Sequence, residues 1–334
     1  MKRVAPAAAV LVALAAAPLV LGEYRTTLLL PVFGYGVALL GLNLLLGYGG
    51  LVSFGHALFV AIGAYAAAVT VGVWRIESFE AALVAAAAAG FLVALPVGAL
   101  CARYTKIFFG MLTLAFGMLF HSFLFKFYAL TGGDQGMRVP RPTLLGLQFE
   151  ELDKTEFLVG PYYWYCLALA ALFALLMWRV VRSPFGLSVR AQRDNPRKAE
   201  YLGVEVHRTR FVAFLVAAVF GAVGGAMLAV PVGLADPELA FWTHSGTLVF
   251  MALLGGTASF AGPLLGALAY GLLQDWLMSL TPYWRFLLGA VLALIVLACP
   301  QGLMGLPALV RTRIAAACRR RRRGPAEARP APAE

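Results

Sequence analysis

The chain has 334 residues, 61% of them hydrophobic and 13% charged, with a mean hydropathy of +0.82 and a formal net charge of +11. Apolar runs of about 20 residues, the length a helix needs to cross a bilayer core, recur along the sequence and exclude a soluble domain with alternating faces; the ~10-residue alternating strands of a membrane barrel are missing. In a soluble protein such positive charge points to nucleic acid, but in a chain this apolar it marks loops on the cytoplasmic side of a membrane, so nucleic acid is set aside as a partner.

Ten membrane spans are predicted, at 4–22, 27–46, 51–73, 80–102, 107–127, 159–180, 211–232, 240–256, 260–280 and 284–304. The expected fold is therefore an all-α polytopic membrane helix bundle over 1–310, followed by a basic tail, 311–334. The opening "MKRVAPAAAVLVALAAAPLVLG" also has the form of a signal peptide. It is read as an uncleaved first helix; either way residue 23 lies outside. Placing the N-terminus inside puts twenty Lys and Arg on the inner side and seven on the outer. This bias sets both termini in the cytoplasm.

The third span opens on "GYGGLVSFGHALFVAIGAY" (47–65). Its glycines suit either close helix packing or a helix broken at membrane depth, which is tolerated where it lines a cavity or is buried in protein. In the second case Ser53 and His56 supply polar groups, and with Asn43 and Thr113 they form the candidate translocation path. In the first, Ser53 caps the helix. The pattern GG-x-x-SF occurs at 49–54 and again at 255–260. The spacing of six spans predicts two glycine turns on the cytoplasmic side, with the same polarity, in a parallel internal repeat.

The polar stretch 131–158 falls outside. It begins "TGGDQG", a turn by composition, in which Gly132, Gly133, Asp134 and Gln135 are candidates for docking a soluble protein or for a plain turn. The longest polar interruption, "SPFGLSVRAQRDNPRKAEYLGVEVHRTR" (183–210), falls inside. Asn195 or Asp194 can cap a helix there, Pro196 suits its first position, and Gly203 suits the left-handed residue past its end. About two turns lie between, too few to be stable alone. Ala199 and Leu202 are expected to share one face, with Lys198 and Glu200 pointing elsewhere. This helix either docks in a groove on a cytoplasmic partner or is an incidental turn in a solvated loop.

The tail "CRRRRRGPAEARPAPAE" reads as a disordered end with a topology anchor held near anionic membrane lipid. The four cysteines, at 101, 166, 299 and 318, have no metal-like spacing. No lysine follows a glycine, so there is no P-loop, and energy must come from another chain or an ion gradient. Ion coupling calls for ionisable residues at membrane depth. Only His56, His121 and Asp275 offer themselves, and no carboxylate sits mid-span. No HExxH and no acid–base carboxylate pair supports a membrane enzyme. A membrane scaffold without transport stands as the remaining alternative.

Several segments resemble one family. "RAQRDNPRKAEYLGVEVHRTRFVAFLVAAVFGAVGGAMLA" (190–229), "GLNLLLGYGGLVSFGHALFVAIGAYAAAV" (41–69), "LTLAF" (112–116) with "LTGGDQGM" (130–137) and "PRP" (140–142), "LLGGTASFAGPLLGA" (253–267) and "CPQGLMG" (299–305) are similar to motifs of branched-chain amino-acid ABC importer permeases of the LivM type. Cys299 stands where that pattern has an aromatic residue. The resemblance implies a five-part importer of the inner membrane: this permease, a second LivH-like permease, two cytoplasmic ATPases and a soluble extracytoplasmic binding protein. It implies leucine, isoleucine and valine as solutes, with urea, short amides and aromatic acids carried by similar permeases. This chain would hold no cofactor, ATP and Mg being bound by the ATPases. Coupling to those ATPases would fall to Arg190, Asp194, Asn195, Pro196, Lys198, Ala199, Glu200, Leu202 and Gly203.

Overall fold

The computed structural model describes Leu14, residues 16–18, 22–149, 151–298 and 302–305. Most of the first predicted span and all of the tail 311–334 lie outside the described residues, as do Cys299 and Cys318. The apolar helices are α1 (Gly22–Asn43, continued by a π-helical turn Leu44–Tyr48), α2 (Ala57–Ala68, continued by Val69–Val73), α3 (Phe79–Cys101) and α4 (Lys106–Lys126). They are followed by α5 (Tyr163–Arg182), two short polar helices α6 (Pro184–Asp194) and α7 (Pro196–Tyr201), and α8 (Val206–Val232). The chain then forms α9 (Trp242–Gly255), α10 (Gly262–Leu280) and α11 (Trp284–Ala298). Among the described residues, five stretches are long and apolar enough to cross a membrane: Gly22–Tyr48, Phe79–Cys101, Lys106–Lys126, Lys154–Arg182 and Val206–Val232.

Helix ends follow local chemistry. Ser78 caps α3 by accepting from Ala81 N at 3.3 Å. The helical run that leads into α5 opens on a capping box, in which Asp153 accepts from Thr155 N and Glu156 accepts from Asp153 N. The backbone N–H groups of Lys154 and Thr155 also hold the Asp153 carboxyl below its ordinary value. Gly233, at φ +76, ends α8.

Four features differ from the sequence expectation. The third span is helical only from Ala57, and residues 50–56 are unwound. The span expected at 159–180 belongs to a longer helical run, Lys154–Arg182. The polar interruption holds two helices, because Ser183 accepts from Gly186 N and Pro184 takes the first position of α6. Among the described residues the fold is all-α apart from isolated bridges and a two-residue antiparallel ladder, β1 (Met137–Arg138) with β2 (Leu234–Ala235).

α8 is the axis of the bundle and packs on α1, α2 and α3. The most apolar windows of α1 and α8 are 78% buried, against 28% for α3 and α4, which places the latter two at the periphery. The contacts along the axis are between backbones. A Cβ on Gly63 of α2 would overlap the carbonyl of Ala222, and one on Gly225 of α8 would overlap the carbonyl of Val60. A Cβ on Gly41 of α1 would lie 2.6 Å from the carbonyl oxygen of Ala217. Small residues at such seams let helices approach closely where lipid supplies no hydrophobic drive between them.

Gly63→Ala is expected to lower the melting temperature of the purified protein, with a cost of about 1–3 kcal/mol from overpacking. Gly289→Ala in α11, where a Cβ meets nothing within 4 Å, is the matched control and should not lower it.

Candidate functional site

The unwound segment 50–56 runs back into the bundle. It leaves α1 after Tyr48, yet the His56 ring nitrogen Nε2 is 3.3 Å from the carbonyl oxygen of Ala38. Ala38 lies ten residues before Tyr48, roughly 15 Å up a helix that rises 1.5 Å per residue. The segment lies along a groove of small residues on α4. A Cβ on Gly110 would sit 3.1 Å from the Val52 carbonyl, one on Gly117 would sit 3.5 Å from Gly55 Cα, and Gly55 itself abuts the carbonyl of Thr113. The amides of residues 52–56 donate to no carbonyl among the described residues. Irregular backbone at membrane depth is tolerated where it is buried in protein or lines a cavity.

α2 therefore starts inside the bundle. Its first amide, Ala57 N, donates to Ser245 Oγ of α9 at 3.0 Å. Ser53 makes no cap hydrogen bond, which corrects the expectation that it caps this helix. Ser53 is buried and its hydroxyl has no partner among the described residues. The geometry favours the broken helix over continuous packing.

The structure brings Ser53, His56 and Thr113 to this segment. Thr113 Oγ1 donates to its own helix at Gly110 O, 2.8 Å, and its backbone meets Gly55. His56 points into the seam, beside Gly221 of α8. Its Nδ1 has no partner among the described residues. Asn43 lies nearer the end of α1, where its Nδ2 donates to the carbonyl of Ser259 at 3.4 Å. Asp275 accepts from Tyr24 OH at 2.9 Å at an exposed edge of α10. His121 lies between the rings of Phe125 and Phe241, at 4.8 and 5.0 Å.

Both GG-x-x-SF motifs break helices, and their second glycines, Gly50 and Gly256, have φ of +66 and +103. The two turns are neighbours, since Gly47 packs on the carbonyl of Thr257. Their downstream paths differ. The second turn closes a tight hairpin in which Gly255 and Gly266 bring α9 and α10 into backbone contact, and the first feeds the unwound segment.

On the same face as the end of α1 lie α6 and α7. Asn195 caps α7 by accepting from Lys198 N at 3.0 Å, Pro196 takes its first position, and Gly203 comes after it at φ +86. Ala199 and Leu202 do not share a buried face. Ala199 is 2% exposed, whereas Tyr201 and Leu202 are 89% and 83% exposed, because the helix ends at Tyr201 and Leu202 turns outward as its C-cap. Arg190, Asp194, Lys198 and Glu200 are exposed. Arg193, which sequence reasoning missed, reaches the carbonyl of Gly47. Its spacing of three from Arg190 was the available signal. Ser245 was missed too, hidden in the polar cluster "WTHSGT".

At the far end, Gly132, Gly133 and Gly136 all have positive φ, and Asp134 and Gln135 are exposed on the turn they make. Thr131 Oγ1 fixes that turn by donating to Leu124 O at 2.5 Å.

A helix bundle with a long apolar axis, a helix broken inside it and five stretches, among the described residues, long and apolar enough to cross a membrane defines a multi-pass membrane protein. The chain belongs to the family described as branched-chain amino acid transport system, permease component, which it matches over residues 24–296. It is 29% identical over 291 residues to the high-affinity branched-chain amino acid transport system permease protein LivM of Escherichia coli K12, covering 79% of this chain and 66% of that protein. It thus spans just under two thirds of that relative. It is 27% identical over 293 residues to LivH of the same organism, covering 82% of this chain and 92% of that protein. A partial match, 29% over 162 residues, is to the guanosine ABC transporter permease protein NupQ of Bacillus subtilis, covering 46% of this chain and 48% of that one. No solved structure matches.

Ser245→Ala is expected to destabilise the protein by about 1 kcal/mol through loss of the α2 cap, read as a lower melting temperature, with Ser245→Thr retaining most of it.

Proposed function

We propose that this chain is one permease subunit of an ATP-driven importer in the bacterial inner membrane, crossing it about ten times with both termini in the cytoplasm. The observation that carries the reading is α7: a capped helix anchored by Ala199 that presents Tyr201 and Leu202, almost fully exposed, on the basic side of a membrane protein. Two apolar side chains at the end of a helix too short to stand alone fit a groove on a soluble partner. The lack of a P-loop lysine supports an ATPase as that partner, binding ATP and Mg in its own chains.

The remaining parts are a second, LivH-like permease and a soluble binding protein that docks at the outer face around Gly132, Gly133, Asp134 and Gln135. The solutes are branched-chain amino acids, a reading supported by the wider coverage of the LivM and LivH relatives than of the guanosine permease. Solute passes beside segment 50–56, where Ser53, Thr113 and the amides of 52–56, which donate to no carbonyl among the described residues, offer polar groups without charge. Asn43 lies further along that route.

The test is ATP-dependent uptake of labelled leucine by proteoliposomes holding the two permeases and the ATPases, with binding protein outside. Uptake above the ATP-free control is expected; its absence ends the reading. In the same system Tyr201→Asp with Leu202→Asp should lower ATPase co-purification by about tenfold, while the protein still inserts and melts normally.

A further inference from the structure

Arg193 sits one residue before the end of α6, and its guanidinium Nη1 donates to the carbonyl of Gly47 in the last turn of α1. The last four carbonyls of a helix have no partner within it. The end of α1 has no basic residue of its own. Arg193 thus supplies, from another helix, both the donor and the positive charge that a helix C-terminus favours.

The stem of the same side chain lies over Gly50, where a Cβ would be 2.9 Å from Arg193 Cγ. Gly50, at φ +66, is the residue at which the chain turns from α1 into segment 50–56. Three residues earlier on α6, the Arg190 guanidinium lies 5.4 Å from the centre of the Tyr48 ring and donates to Val181 O, at the end of α5, at 2.6 Å. One face of α6 therefore grips the end of α5, the end of α1 and the start of the unwound segment. Only Asn195 separates α6 from α7.

We propose that Arg193 is a positioning residue that transmits movement of α7 to segment 50–56, an inference that rests on the importer reading above. The segment is suited to receive it, because among the described residues the amides of 52–56 donate to no carbonyl, and backbone so sparsely bonded shifts at less cost than helix. Its far end is held at Gly55 on α4 and at His56 on α1, so displacement at Gly50 is taken up between them.

The test compares uptake and ATP hydrolysis in the complete importer. Arg193→Ala should lower leucine moved per ATP hydrolysed by about tenfold while hydrolysis continues. Gly50→Ala, which crowds the Arg193 stem at a strained φ, should do the same, and the double variant should be no worse than either. Arg193→Gln, which keeps a donor without the charge, should retain part of the coupling and serves if Arg193→Ala is not recovered. Arg208→Ala, at an exposed site on the same side, should leave the ratio unchanged. An unchanged ratio in Arg193→Ala, or a parallel fall of uptake and hydrolysis, overturns the role of Arg193 and leaves the importer reading standing. No ATP-dependent uptake by the unsubstituted protein overturns both.

Discussion

The carbonyl of Ala222 occupies the place that a side chain on Gly63 would need, and the carbonyl of Val60 does the same opposite Gly225. α2 and α8 are held backbone to backbone there, and α1 joins them where Gly41 meets Ala217. In lipid, apolar side chains gain little by leaving one apolar surroundings for another, so close packing carries much of the association. The rest of the bundle is arranged on this seam. α3 and α4 need only one packed stripe each, and their other faces keep large apolar side chains such as Ile107, Phe108 and Leu119 exposed.

The seam also explains how a broken helix persists inside the bundle. Residues 50–56 give up helical hydrogen bonds, a loss that hydrocarbon would make severe. Three fixed points surround them: α4 presents Gly110, Thr113 and Gly117 as a groove, Ser245 caps the start of α2, and His56 is tied to α1. Each is set by a helix already packed on the axis or on its neighbours. A rigid seam beside a poorly bonded segment gives one part that holds and one part that can move.

Much of this was legible in the sequence. Among the described residues, apolar runs marked the positions of the helices, though the third begins at Ala57 rather than at 51, since length and hydropathy are what membrane insertion reads. Asn195, Pro196 and Gly203 marked α7 because caps and left-handed turns are local chemistry. The face of α7 was not legible: Ala199 and Leu202 are three apart, but whether each is buried depends on where α6 and α8 stand. The capping of α2 misled for the same reason. Ser53 is near in sequence, yet Ser245, 188 residues from Ala57, makes the bond. The arginine on Gly47 crosses 146 residues in the same way.

Charge is placed where the helices meet the edge of the apolar layer. The one ion pair among the described residues, Arg208 with Glu205, is exposed, and such pairs contribute little to stability. The polar groups within the bundle are hydroxyls, amides and imidazoles, among them Asn43, Ser53, His56, Thr113 and Ser245. Arginines act instead at helix ends, on free carbonyls and the negative end of the helix dipole. Arg190 and Arg193 do so for α5 and α1 together. The interior of the bundle thus holds hydroxyls and amides, and the strong electrostatics stay at the ends of the helices.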